Sequence, residues 1–480
     1  MVTALGASLQ EVLQIIKADK VQYPAIDLHF SQTEPLATPV IVALPGNGIR
    51  LQFDGADQRL RLIEIMDFSL IRLTYKGSEL VKAHDDSSAS GPAYKRIYQI
   101  IGASYPGEYM APKSTSRDAI GTYITSWPGV ACTWPLPHGR WSAGKDHAAL
   151  LDSYAGPATH MALFEGRSWQ EARTSLFTRQ PAAPRISALA MDPRDMLPTE
   201  VEYALVRGNG EVTLVRRTPA PPFEIILNET TPQDLVTELG PPDATHKRED
   251  PVPDQLSHRR TGSASRPLTA GRAHVGSLPS SYSSTGTDTF DSDFDSGDAD
   301  EDPSERASRE RFWCFFSHGM DILVGPPVNA GAGDRNRTPM SASPHLVVTK
   351  VILHGNVPGS YAFNRHRRLR WSLELESLPS DPPLNSESHF ETDIKPVLME
   401  TFARSCPESE MGRGKVVNRT WGGSPSDSTF FIPSGGDGEG EDLIESGGNE
   451  QWLGNTRLYA FPGLVFEVLE NGTVGGLTVY

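Results

Sequence analysis

Four times along the chain a glycine is followed by apolar, any, apolar, any, apolar. The stretches are GIRLQF (48–53), GVACTW (129–134), GMDILV (319–324) and GLVFEV (463–468). In an extended chain successive side chains point to opposite faces, so the three apolar positions share one face. The leading glycine permits a bend that a Cβ resists. Each strand is preceded by a short helical pattern. SLQEVLQII (8–16) offers Ser8 as a cap and sets Leu9, Val12, Leu13 and Ile16 on one helical face. YKRIYQIIG (94–102) repeats the spacing with Tyr94, Ile97, Tyr98 and Ile101 and stops at glycine. TPQDLVTELG (231–240) has Thr at the cap, Pro in the first turn and Gly at the end. DIKPVLMETF (393–402) is the fourth, with Pro396 tolerable only in its first turn.

Partner strands follow at RLRLIEI (59–65) and HLVVTKVILH (345–354), and VEYALVRGNGEVTLVRR (201–217) is an Asn-Gly hairpin. The chain ends on GLVFEVLENGTVGGLTVY (463–480), which reads as a hairpin with a tight primed turn at Asn471-Gly472. These spacings predict an α+β protein of about four diverged helix-plus-antiparallel-β-hairpin units. The string alone is cheap, but the helix-then-strand order recurs with it, which weighs against chance. Gly48, Gly129, Gly319 and Gly463 are then structural. Two halves are expected. Residues 1–224 hold two units and a further hairpin region, and residues 225–480 hold two more. Residues 250–310, rich in Ser, Pro, Thr, Asp and Arg, are expected to be disordered. Residues 325–343 read as a loop and 432–456 as a flexible insertion. All fall between a helix and its hairpin or inside a hairpin, where insertions are tolerated.

Composition sharpens this picture. Of 480 residues 38% are hydrophobic, enough for a core, while 43 Gly and 39 Pro point to long stretches outside it. The net charge is −16, and residues 288–302, DTFDSDFDSGDADED, carry half of it. An acidic total weighs against general nucleic-acid binding, which rests on phosphate neutralisation. The three cysteines, Cys132, Cys314 and Cys406, form no C-x-x-C pair and fit a reducing compartment. The first twenty residues lack the basic start and apolar core of a signal peptide, and no apolar run reaches membrane-spanning length.

The search for chemistry returns mostly absences. There is no P-loop, no G-x-S-x-G, no H-E-x-x-H among thirteen histidines, and no G-x-G-x-x-G after a strand. No catalytic residue, cofactor or metal is expected. DSDFDSGDADED (291–302) imitates a calcium loop, but its glycine is one place late and no helices flank it. Ser292 and Ser296 among acids, and Ser263 behind arginines, are candidate phosphorylation sites. RHRRLRW (365–371) is the one dense basic cluster. Two readings fit Arg365, Arg367, Arg368 and Arg370: contact with anionic lipid head groups, or a strand with Leu369 and Trp371 inward and Arg368 and Arg370 in solvent. RFWCFFSHGMDILVG (311–325) reads as a packed strand, with Cys314 a small core hydrophobe. His318 has no partner at metal spacing and reads as structural.

GASYPGEY (102–109), FWCFFSHGMDILVG (312–325), VILHGNVPGSYAFN (351–364) and FEVLENGTVGGLTVY (466–480) resemble the signature segments of the phagosome assembly factor family. GIRLQFDGADQRLRLIEIMDF (48–68) and TPQDLVTELGPPDATHKRED (231–250) fit the same pattern in the same order. The resemblance runs from near residue 5 to residue 480, is loose over 140–200, and is most specific at LHGNVPGSYAFN. It implies a non-enzymatic cytoplasmic adaptor in autophagosome formation, recruited to the phagophore assembly site with a WD-repeat β-propeller partner. It also implies an alternative, transport from the trans-Golgi network to the plasma membrane. The lipid role of the arginine cluster, which would make phosphoinositide contact direct, is not part of the resemblance.

Overall fold

The computed structural model describes residues 4–81, 91–113, 116, 119–142, 144–178, 199–217, 220–247, 309–327, 345–375, 383–403, 411–418 and 455–480. Ser263, Ser292, Ser296 and Cys406 lie outside the described residues, as do nearly all of 250–310, 328–343 and 432–454.

The protein is α+β, and its repeating unit is a helix followed by a four-stranded antiparallel meander. In the first unit, helix Leu9–Ala18 precedes β1 (Asp27–His29), β2 (Val40–Leu44), β3 (Ile49–Phe53) and β4 (Leu60–Ile65). A two-stranded ribbon, β5 (Thr74–Tyr75) and β6 (Ser78–Glu79), leads to the second unit. There helix Tyr94–Ile101 precedes β7 (Tyr105–Met110), β8 (Ile120–Trp127), β9 (Val130–Pro137) and β10 (His160–Phe164). A central run follows, β11 (Val201–Arg207), β12 (Glu211–Arg216) and β13 (Phe223–Ile226). The third unit is helix Pro232–Leu239 with β14 (Ala244–Lys247), β15 (Arg311–Phe315), β16 (Met320–Gly325) and β17 (Val347–His354). After β18 (Arg370–Glu374), the fourth is helix Lys395–Phe402 with β19 (Lys415–Asn418), β20 (Asn455–Phe461), β21 (Leu464–Val468) and β22 (Val474–Val479).

Local chemistry explains the helices. Ser8 Oγ accepts from the Glu11 N–H at 3.2 Å, and Thr231 and Asp234 form a reciprocal capping box. Leu9, Val12, Leu13 and Ile16 are fully buried on the face the spacing predicts, packed with Val42, Leu51 and Phe53. Lys395–Phe402 is preceded by a π-helical turn over Phe390–Ile394, which buries both of its end residues. Two further helices, His147–Tyr154 and Trp169–Ser175, carry weak apolar patterns and were not expected.

The units join in pairs through their last strands. β4 pairs antiparallel with β10, making one eight-stranded sheet. β17 pairs antiparallel with β22, making another of the same order. Each of the four glycines sits at the turn between the second and third strands of its unit, with φ of +63°, +80°, +78° and +74° at Gly48, Gly129, Gly319 and Gly463. Their surroundings differ. A Cβ at Gly48 would lie 2.6 Å from the Asp67 carbonyl oxygen, and one at Gly319 would drive into that of Arg367. At Gly129 and Gly463 the nearest atoms are at 3.4 and 3.7 Å, so there only the left-handed backbone asks for glycine.

Two expectations change. Asn209 and Gly210 do take positive φ in the β11–β12 hairpin, but Asn471 does not. The last turn is instead a five-residue loop between Val468 and Val474 with one left-handed residue, Gly472. The core also runs across residue 224. β11, β12 and β13 form a four-stranded sheet with β18, which pairs parallel to β11. Val201, Ala204, Val206 and Leu214 share one core with Trp371, Phe390 and Phe466. The central hairpin therefore packs with the C-terminal units.

Candidate functional site

The segment from His354 to Arg370 leaves β17, folds back so that the Leu369 N–H donates to the His354 carbonyl at 3.0 Å, and enters β18, touching the first unit on the way. Asn356 Nδ2 donates to Gln58 Oε1 at 2.7 Å, and Gln58 Nε2 donates back to the Asn356 carbonyl at 2.8 Å. Both residues are buried and left-handed, as is Asn364, whose N–H donates to Asn356 Oδ1 at 2.6 Å. Asparagine tolerates this conformation better than most residues, which gives the GNVPGSYAFN string a backbone reason for its two Asn.

The arginines continue this junction inward. Arg367 donates to Glu200 and to the Val201 carbonyl. Glu200 also receives Arg59, with Arg217 3.7 Å away. Arg368 donates to the carbonyls of Ala56 at 2.5 Å and Gly355 at 2.7 Å, and to Glu387 at 2.9 Å. Arg370 makes a two-pronged bond to Glu387 at 2.9 and 3.1 Å and reaches Asp57 at 2.8 Å. Arg367 and Arg368 are 4% and 3% exposed. Lipid contact through Arg367 and Arg368 is therefore corrected: both guanidiniums are buried and spent on carboxylates and carbonyls. The strand reading is corrected too, since Leu369 and Trp371 point inward as expected but Arg368 is not in solvent. Arg365 is exposed, over the Tyr361 ring. Burial lowers the Arg367 guanidinium to about 10 despite Glu200. Burial pushes the Glu200 carboxyl up, but Arg367 and Arg59 more than reverse it and hold it below its ordinary value.

A second cluster adjoins the first. Asp321 occupies a polar place in GMDILV, so it faces away from the core that Met320, Ile322 and Val324 enter. His354 ends β17, and His366 comes back over the same face, with its ring edge-on to Phe316. His354 Nε2 lies 2.9 Å from Asp321 Oδ2, and His366 Nε2 lies 2.8 Å from Oδ1. The two imidazoles stack with centroids 3.8 Å apart. Burial raises the Asp321 carboxyl, and the two histidines more than offset this, leaving it well below the carboxylate range. Burial lowers His366. Cys314, opposite Asp321 across the β15–β16 ladder, is pushed up to about 12 by burial and by that carboxylate. These three ligand-type side chains stand at separations of 33 and 12 in the sequence, so no motif search finds them. Strand pairing and the returning segment bring them together.

His318 is buried. Its Nε2 faces the Leu239 carbonyl at 3.3 Å, and its Nδ1 is buried without a partner. Protonation would place an unpaired N–H there, with Arg367 adding repulsion against weaker help from Asp243 and Glu200. Burial, with Arg367, lowers it to about 4. A histidine depressed in the folded state contributes stability that is complete above its unfolded pKa of about 6.5 and fades as pH falls towards 4. Lowering pH from 7 to about 5 should cost about 2 kcal/mol through this residue. Urea unfolding of His318→Gln at both pH values checks this. An unchanged pH dependence would remove His318 from the account.

The comparisons with known proteins cover almost all of this architecture. The family model described as phagosome assembly factor 1 matches residues 2–265 and 297–480. A PHAF1 protein of Arabidopsis thaliana is 20% identical over 488 aligned residues, covering 99% of this chain and 90% of its own length. A PHAF1 protein of Drosophila melanogaster is 22% identical over 501 residues, with the same coverage. One of Caenorhabditis elegans is 28% identical over 131 residues, 27% of this chain and 28% of its own. No solved structure matches. With its four units, its central hairpin and the His354–Arg370 junction all inside the matched residues, the chain belongs to the phagosome assembly factor 1 family.

Proposed function

We propose that this protein is a non-enzymatic adaptor in autophagosome formation, which works at the phagophore assembly site by holding a WD-repeat β-propeller partner. The observation that carries this reading is the family match over residues 2–265 and 297–480. The structure adds a constraint on how membrane is reached. Among the described residues no helix is long and apolar enough to cross a bilayer. Of the arginines that offered direct phosphoinositide contact, Arg367 and Arg368 are engaged inside the protein. Arrival through the partner is favoured in this reading, because the trans-Golgi alternative loses two of the four guanidiniums on which its lipid contact rested.

The test is affinity purification of the tagged full-length chain from fed and starved cells, with mass spectrometry of what accompanies it. The expected result is a stoichiometric WD-repeat protein, with more autophagy factors after starvation. Golgi coat and tether proteins in its place, unchanged by starvation, would overturn the proposal.

A further inference from the structure

Asp321, His354 and His366 reach one another from the middle of β16, the end of β17 and the returning segment, with all three donor atoms within 4.8 Å of each other. We propose that they form a divalent-metal site and that zinc is the ion its donors suit. Imidazole favours zinc, copper, iron and nickel, and zinc commonly takes three protein ligands of nitrogen and oxygen with a fourth place open. Each imidazole already turns an Nε2 to its own carboxylate oxygen, at 2.9 and 2.8 Å. Zinc bonds of about 2.0–2.1 Å put tetrahedral ligand atoms about 3.4 Å apart. Loading therefore asks the donors to part by roughly half an ångström. The stacked rings, 13° from parallel, must also tilt so that both lone pairs meet one point.

Three features favour the site. The Asp321 and His354 side chains are 16% and 17% exposed against 7% for His366, which gives an ion a way in from one side. The cluster pairs an anionic carboxylate with two uncharged-capable ligands, and a buried anion gains from a cation. Cys314 lies directly across the ladder from Asp321, on the same face, and interacts with its carboxyl. One feature limits affinity. A His366 that binds through Nε2 carries its proton on Nδ1, which is buried without an acceptor, whereas metal histidines usually have a partner there. The bound ion would bolt the returning segment to β16, just before Arg367 and Arg368 insert into the junction between the halves.

Full-length protein stripped with chelator and dialysed would be titrated with zinc chloride by calorimetry and with cobalt(II) by visible absorption. The expected result is a single zinc per chain, intense tetrahedral cobalt bands, and a rise in melting temperature on loading. His354→Ala and Asp321→Asn should each weaken zinc by about tenfold or more. His366→Ala is the more deeply buried change, so the partly exposed His354 carries the test if that variant fails to fold. Absence of saturable binding overturns the proposal. So does binding that survives His354→Ala and Asp321→Asn unchanged, which would place the ion elsewhere on the chain.

Discussion

Replacing Glu200 by alanine lowers the stability of this protein by up to about 3–5 kcal/mol, the range for leaving a buried charge such as Arg367 without its partner, and by less where water reaches the partly exposed Glu200 position. Glu200 is the shared acceptor of Arg367 and Arg59 and lies near Arg217. The three do not lose equally. Arg217 keeps Glu202 at 2.7 Å, and Arg59 keeps the Gly6 carbonyl at 3.3 Å. Among the described residues Arg367, 4% exposed, keeps only a backbone carbonyl as a hydrogen-bond partner, with Glu202 acting on it through charge alone, and its Nε is already buried without a partner. An unpaired buried guanidinium is the main penalty. Adding Arg367→Met to Glu200→Ala should therefore restore at least about 1 kcal/mol, because the double variant buries no orphan charge. Chemical unfolding of the two single variants and the double variant measures this. Strict additivity would mean that the pair does not couple. The sign with pH follows from the depressed carboxyl of Glu200. Its contribution is present above the ordinary carboxylate range and fades as pH falls through the folded-state value. In Glu200→Ala that part of the acid sensitivity should disappear.

Gly319→Val is the second large effect, a loss of roughly 2–6 kcal/mol, or failure to accumulate as folded protein. About 1–3 kcal/mol comes from holding a β-branched residue at positive φ, and a further 1–3 from overpacking. The second contribution is specific to this glycine. A Cβ at Gly319 meets the Arg367 carbonyl oxygen and comes within 3.0 Å of Leu369 Cβ, so the segment that carries Arg367 and Arg368 would have to lift. Gly463→Val is the control. It has a similar φ of +74°, but the nearest atom is 3.7 Å away, so only the backbone cost of about 1–3 kcal/mol applies. Equal melting temperatures for the two variants would show that the close approach at Gly319 is not what matters.

The alternation that marks β3, β9, β16 and β21 was readable because it is local. Three apolar residues on one pleat must find a core whatever the rest of the chain does. The caps at Ser8 and Thr231 were readable for the same reason, since each acts on N–H groups a few residues away. Helices His147–Tyr154 and Trp169–Ser175 escaped because their apolar positions are few. Asn471-Gly472 misled because the dipeptide suits more than one loop, and a five-residue connection was available.

The fate of the arginines belongs to another level. Nothing near residue 368 says whether its guanidinium meets solvent, a lipid or a carbonyl. Its partner Ala56 is 312 residues away, and Asp57, the partner of Arg370, is 313 residues away. Asp321, His354 and His366 likewise meet only after β16 and β17 pair and the segment beyond them folds back. By itself the sequence determined the four helix-and-strand units, their glycine turns and the family to which they belong. Only the tertiary structure decided which units share a sheet, which charges are buried and which histidines face one carboxylate. The reason is physical: periodicity and capping act over a few residues, whereas the energy of a charge or a ligand atom depends on what distant chain surrounds it.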